Sequence, residues 1–297
     1  MSRLVMLALC ALAAMACDDS MSPDRRILAL EFIGLEPLAN GFHYEGWAIT
    51  AAGPVSTGKF NVGSAGGLVT PSGGVIAGGE FASSVDLAAA TAIVITIEPS
   101  GDVDAVPAAT KILAGPISNG TAALSAGAAE AVGSNFAGAA GEFILATPTD
   151  GMNTNETSGI WFLKMVSGSP VAGLTLPTLP SGWRYEGWAV IAGTPVTTGT
   201  FTSVTGADAA APFSGPQPGP PFPGEDFLMN PPTGLSFPTN LAGATSVITV
   251  EPSPDDSPAP FTLKPLLGVI PSDATSGVAY SMGLNTSTFP VGVATVR

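Results

Sequence analysis

Apolar and polar residues alternate with a period of two over much of this chain, and the alternating stretches come in two matching sets. Within 42–49, Phe42, Tyr44, Gly46 and Ala48 fall on one side of an extended segment, and His43, Glu45, Trp47 and Ile49 on the other. This is the pattern of a half-buried β-strand. The same order returns with Trp183, Tyr185, Gly187 and Ala189 against Arg184, Glu186, Trp188 and Val190. A glycine at the same place in both strands predicts a bulge or a close neighbour that leaves no room for a side chain. Turn residues at 52–54 and 193–195 lead into strands that end at Phe60 and Phe201, so a hairpin is expected in each set. Further strands are predicted at 27–33, at 92–98 with Ile93, Ile95 and Ile97 on one face, and at 111–115, 143–146 and 159–163. Their counterparts later in the chain are 246–251 and 264–268. The Ala-rich stretch 121–133 is the one candidate for a short helix.

The two sets are an internal duplication. Tyr44-Glu-Gly-Trp and Thr57-Gly-Lys-Phe60 recur as Tyr185-Glu-Gly-Trp and Thr198-Gly-Thr-Phe201, and Ile95-Thr-Ile-Glu-Pro as Ile248-Thr-Val-Glu-Pro. Ordered blocks of this kind mean two copies of one folding unit. The polar stretch 150–158 places the boundary between them, giving one domain over 27–150 and a second over 159–297, with the connection a candidate for a hairpin shared by both. The predicted fold is all-β: two tandem antiparallel β-sandwich (Ig-like) domains. The second copy carries nine prolines between residues 206 and 240. Proline removes ladder donors, so this segment reads as an extended surface loop, with a polyproline ligand as the alternative. Glu98 and Lys111 have the same separation as Glu251 and Lys264, and each pair is expected to face across a hairpin and fix its register.

Composition agrees with short strands joined by turns: charged residues make up 11% of the chain, against 37 Gly and 28 Pro. A formal charge of −14 argues against nucleic acid as a partner, since binding phosphates needs clustered Lys and Arg. The first 17 residues read as a secretion signal: Arg3, an apolar run over 4–16, then Ala14-Met15-Ala16-Cys17. The small residues before Cys17 resemble a bacterial lipoprotein signal, which implies lipidation at Cys17 and a membrane anchor in the cell envelope. Residues 18–26 then form a polar tether. With Cys10 inside the signal, no disulfide can form within the mature chain.

Candidate chemistry is sparse. His43 is the only histidine and its counterpart is Arg184, so a Ser–His–Asp site belonging to the repeat is not expected and His43 reads as a surface strand residue. For want of His and Cys ligands, neither a transition metal nor a cofactor is expected. The spacing of Asp102 and Asp104, and of Asp255 and Asp256, fits no calcium loop and reads as solvated turns. Glu45 and Glu186 would be paired acids only if their strands approached each other. The remaining candidates are aromatic: Tyr44, Trp47, Tyr185 and Trp188 are either core residues or a surface that stacks on sugars or anchors a protein, with Trp161 and Trp183 beside them.

Across both copies the motifs form one series: Tyr-Glu-Gly-Trp, a Pro before Thr-Gly-x-Phe, Thr-(Ile/Val)-Glu-Pro, and a later Leu-(Ala/Leu)-Gly. This series resembles the extracytoplasmic C-terminal domain of anti-sigma-K factors. The matching residues are Tyr44, Trp47, Pro54, Gly58, Phe60, Thr96, Glu98, Pro99 and Gly115, then Tyr185, Trp188, Pro195, Gly199, Phe201, Thr249, Glu251, Pro252 and Gly268. The resemblance implies a non-enzymatic envelope module with a sensory, regulatory or protein-interaction role, on the periplasmic face or the cell surface. The alternative is a carbohydrate- or polymer-binding module that uses the aromatic residues on a polysaccharide.

Overall fold

The structure, a computed structural model, describes residues 25–297. The signal segment, Cys17 and most of the expected tether lie outside the described residues. Arg25 and Arg26 belong to the folded body: the Arg25 amide donates to Asp86 at 2.9 Å and the Leu87 amide to the Arg25 carbonyl at 2.7 Å.

The first part of the chain forms β1 (Ile27–Ile33), β2 (His43–Thr50), β3 (Gly53–Val62), β4 (Leu68–Val69), β5 (Glu80–Ala82), β6 (Ala92–Glu98), β7 (Lys111–Pro116), β8 (Thr121–Ser125) and β9 (Ala140–Leu145). Then follow β10 (Gly159–Trp161), β11 (Leu163–Val166), β12 (Ser169–Ala172), β13 (Leu174–Thr175), β14 (Trp183–Ile191) and β15 (Thr194–Phe201). The last five are β16 (Gly224–Asp226), β17 (Thr245–Pro252), β18 (Leu266–Val269), β19 (Tyr280–Leu284) and β20 (Val291–Val296). Every ladder is antiparallel, and no α-helix occurs among the described residues. None of their helical segments is long and apolar enough to cross a membrane.

One large sheet has the order β4-β3-β2-β6-β7-β8-β20-β1-β5, the other β15-β14-β17-β18-β19-β9-β10-β16 with β13 beside β9. If β9 and β20 trade places, the two orders coincide from β3 and β15 onward, with β4 lacking a counterpart. Each copy's last strand is therefore laddered into the other copy's sheet. β20 lies between β8 and β1, with Ala294 opposite both Ala122 and Leu30. β9 lies between β19 and β10, with Phe143 opposite Tyr280 and Leu145 opposite Ile160. This corrects the division at 150–158. The second sheet is built from the continuous stretch 140–284, and the first from 27–125 closed by 291–296. The connection through 150–158 is a hairpin internal to the second sheet.

Each sheet curls until its ends approach, so one continuous sheet supplies both layers around an apolar interior. At the seam of the first, a Cβ on Gly58 of β3 would stand 2.6 Å from the Phe81 ring of β5. The inward positions are those the alternation marks. Leu28, Leu30, Tyr44, Phe60, Ile93, Ile95 and Ile97 fill the first unit, and Ile160, Phe162, Tyr185, Phe201, Phe227, Ile248 and Val250 the second. Tyr44 stacks on Phe60 with centroids 5.4 Å apart, and Tyr185 on Phe201 at 5.6 Å. Burial of either phenol is tolerable because its hydroxyl donates to a backbone carbonyl, Glu36 at 2.9 Å and Pro177 at 2.6 Å. The repeated glycine does both things expected of it. The register shifts at Gly46/Trp47 and at Gly187/Trp188, and a Cβ on Gly46 would meet the Thr57 hydroxyl at 2.6 Å.

The expected helix in 121–133 is instead β8 followed by turns. Ala122 and Leu124 are buried while Thr121, Ala123 and Ser125 are exposed, a period of two that β20 pairs along its length. The turns then lay Ala128 and Ala131 against Trp47, Val94 and Ala114 on the outer face of the sheet. In the Pro-rich stretch 206–240 the only strand is β16, at the end of its sheet, where missing ladder donors are tolerated.

Candidate functional site

The four aromatic candidates are not a surface. Tyr44, Trp47, Tyr185 and Trp188 are 0%, 1%, 2% and 2% exposed, and Trp161 and Trp183 are buried as well. The two tyrosines point into the curled sheets. Both tryptophans lie on the outer faces, roofed by loops, where each indole N–H donates to a threonine hydroxyl at 2.9 Å, Trp47 to Thr96 and Trp188 to Thr249.

Those tryptophans belong to a largely buried polar row on the outer face of each sheet, edged in the first by the exposed Ser56 and the half-buried Lys59. In the first unit, β2 contributes His43 and Glu45, β3 contributes Ser56 and Lys59, and β6 contributes Thr96 and Glu98. The Ser56 hydroxyl donates to Glu45 Oε1 and the Thr96 hydroxyl to Glu98 Oε1. The loop after β6 folds back over the row. Its Ala108 amide donates to Glu98 at 3.0 Å, and Lys59 Nζ donates to Asp102 Oδ2 at 2.9 Å and to the Asp102 carbonyl at 2.8 Å. Lys59 Nζ is 3.7 Å from Glu45 Oε2. Burial raises the Glu45 carboxyl above the usual range, against the opposing pull of Ser56 and Lys59. The hydrogen bond from Lys59 lowers that of Asp102.

His43 is not the exposed strand residue its sequence position suggests. It is 5% exposed, its Nδ1 is 3.4 Å from the Gly41 carbonyl, and its Nε2 has no partner. No serine or threonine hydroxyl bonds to it among the described residues, so no acyl-transfer triad forms there. The structure instead brings one ring nitrogen of His43 and one carboxylate oxygen each of Glu45 and Asp102 within 4.8 Å of one another. Sequence reasoning missed this grouping because Asp102 comes from a loop whose path no periodicity reports.

The second unit keeps the acids and loses the cation. Thr200 stands where Lys59 does, and Arg184 replaces His43 but is exposed, its Nε 3.3 Å from the Ser253 hydroxyl. Thr197 donates to Glu186 and the Phe261 amide to Glu251 Oε1 at 2.9 Å, while Glu251 Oε2 has no partner. Burial pushes Glu186 up to about 7 and Glu251 up to about 8; repulsion from Asp255 adds to both, and repulsion from Glu186 adds to Glu251.

The expected pairs of Glu98 with Lys111 and of Glu251 with Lys264 do not form. Lys111 stands opposite Thr96, beyond a register shift at Ile95/Thr96, and no ion pair among the described residues includes Lys111 or Lys264. The glutamates turn instead to the loop amides of Ala108 and Phe261, which would otherwise be left without acceptors. Of the aspartates considered for calcium, Asp104 and Asp255 accept from the turn amides of Val106 and Ser257 and Asp102 faces Lys59, whereas Asp256 is buried rather than solvated and accepts from the distant Ala39 amide.

A cleft of about 390 Å³ opens beside the Pro-rich segment, lined by Trp161, Asp208, Ser214, Gln217 and Phe222 among others. Glu225 and Asp226 are fully buried next to it. Asp226 accepts from the Thr149 amide at 2.8 Å and from Trp161 Nε1 at 2.7 Å, and Asp208 accepts from the Gly224 amide at 2.9 Å. Burial lifts Asp208 and Glu225 to about 7. The signal in the sequence is Glu225-Asp226, two adjacent acids inside a run of prolines whose composition otherwise reads as a surface loop. No family model, curated protein or solved structure matches this chain.

Proposed function

We propose that this chain is a non-enzymatic lipoprotein of the cell envelope, anchored to a membrane through a lipid on Cys17, with a sensory, regulatory or protein-interaction role like that of the anti-sigma-K C-terminal domain it resembles. One observation carries the non-enzymatic part. Three pairs of side chains that recur in both copies are held in internal bonds: Trp47 and Trp188 to threonine, Glu45 and Glu186 to hydroxyls, Glu98 and Glu251 to loop amides. The recurring motif is thus a scaffold, and residues that differ between the copies are left to distinguish what each one contacts. The polysaccharide alternative loses the four aromatic residues on which it rested, since all are buried.

The test is metabolic labelling of the full-length protein with radioactive palmitate, followed by membrane fractionation and cross-linking in cells. Labelled wild-type protein in the membrane fraction is expected, with label and membrane association both lost in Cys17→Ser. A specific envelope-protein adduct is expected in the same cells. An unlabelled wild-type protein would overturn the anchor, and retention on cell-wall polysaccharide without any protein adduct would favour the alternative.

A further inference from the structure

We infer that His43, Glu45 and Asp102 form a site for a divalent transition-metal ion of the zinc class, with Lys59 as its built-in competitor. A nitrogen and two carboxylate oxygens are a donor set that suits such ions. The three ligand atoms already lie within 4.8 Å of one another. A tetrahedral ion with bonds near 2.0–2.2 Å sets its ligand atoms about 3.3–3.6 Å apart, so closure needs only a small contraction. His43 and Glu45 are alternate residues on one face of β2, a strand laddered on both sides by β3 and β6. Two of the three ligands are therefore fixed by the backbone, and the third comes from the loop bound over them.

The histidine supplies the independent observation. Its Nδ1 faces the Gly41 carbonyl at 3.4 Å, which favours the Nδ1–H tautomer and leaves a lone pair on Nε2. That nitrogen is buried and has no partner, an arrangement proteins rarely leave in place without a ligand. Outward orientation through a backbone carbonyl is also how metal-binding imidazoles are usually held.

Lys59 shows that the position attracts a cation, since its ammonium sits between Asp102 and Glu45. Its side chain is 31% exposed, so it can swing to solvent and surrender the place to a divalent ion. The second unit serves as an internal comparison. Glu186 and Asp255 are retained there, while Arg184 replaces the nitrogen donor and Thr200 the competing lysine.

The experiment is titration of chelator-treated full-length protein in detergent with ZnCl2 by calorimetry, and with CoCl2 by visible absorption, which reports the ligand set directly. One zinc per chain is expected. Lys59→Thr, which installs the second unit's residue, should tighten binding by about tenfold or more, because a competing charge has been removed. His43→Ala should weaken it by at least about 100-fold and abolish the cobalt spectrum. His43→Gln, which keeps the volume of the buried side chain more nearly, repeats that reading if the alanine variant fails to fold. Wild-type protein that takes up no zinc would overturn the inference, whatever Lys59→Thr does. So would binding that stays within about twofold of wild type in the folded histidine variant, since loss of a ligand costs far more.

Discussion

Thr96 and Thr249 show how much of this molecule rests on single hydroxyls. Each accepts the indole N–H of a tryptophan that is 1–2% exposed, while the Thr96 hydroxyl donates to Glu98 and the Thr249 hydroxyl to the Glu186 carbonyl at 3.4 Å. Replacing either threonine by the isosteric valine strands both a donor and an acceptor in a dry place. Thr96→Val and Thr249→Val are each expected to cost about 1–3 kcal/mol in urea unfolding, whereas Thr→Ser at the same sites should cost clearly less. A valine variant as stable as wild type would show the hydroxyls to be incidental. The acids of the second unit lead to a pH dependence of definite sign. Glu186, Glu251, Asp208 and Glu225 have raised pKa values in the folded chain, at about 7, 8, 7 and 7, chiefly through burial. The folded state therefore binds protons that the unfolded state has released, and stability falls as pH rises. It is fully present below about pH 4 and is lost as pH rises through about 7 to 8, so thermal unfolding should occur several degrees lower at pH 8 than at pH 5. Glu251→Gln should flatten that slope, because the amide needs no proton to stay neutral.

At the scale of the strand, the decisive element is β20. It supplies ladder partners to β1 on one side and β8 on the other, and its Ala294 and Val296 are buried. A chain ending at Leu284 would bare both neighbours and open the first sheet, while β9 to β19 keep all their partners. Hydrogen exchange on that truncated chain should show lost protection in β1 and β8 and retained protection in β14 and β17. Equal loss in both sheets would refute the separation. The strands of the repeated blocks were legible in the sequence because burial on one face imposes a period of two, and because Tyr44, Gly46, Trp47, Thr96 and Glu98 recur in order. The partners of those strands were not. The strand at 143–146 reads as the last of the first copy, 291–296 carries none of the repeated blocks, and nothing in a period of two records which neighbour a strand will pair with. The buried outer rows were hidden for a related reason. His43, Glu45 and Trp47 alternate as a solvent-facing side would, and it is the returning loop, with Asp102 and Ala108, that roofs the first two, and the turns with Ala128 and Ala131 that cover Trp47. Alanine-rich 121–125 misled in the opposite direction, since intrinsic helix preference yielded to pairing with β20.

For the molecule as a whole, the sheet orders make one unit continuous and the other dependent on it. The second sheet uses one unbroken stretch, whereas the first must recover its last strand from across about 165 residues. Folding the second unit shortens that gap. β9 and β19 are ladder neighbours with Gly141 opposite Met282, so the connections to β8 and to β20 leave the second sheet side by side. The effective loop then falls to about 20 residues, and the closure entropy drops by about 2 kcal/mol, roughly 20-fold in rate. The second unit should therefore form first. Pulse-labelling hydrogen exchange during refolding is expected to protect β14 and β17 before β1, β8 and β20. Two core truncations separate cause from coincidence. Phe227 is fully buried in the second unit and Phe60 in the first, so each alanine variant should cost about 3–5 kcal/mol in its own unit. Phe227→Ala should delay protection in both sheets, because the first waits for the second. Phe60→Ala should delay only the first. Protection that arises in both sheets at once, or earlier in the first, would mean that β20 finds its place without the neighbouring unit to bring it there.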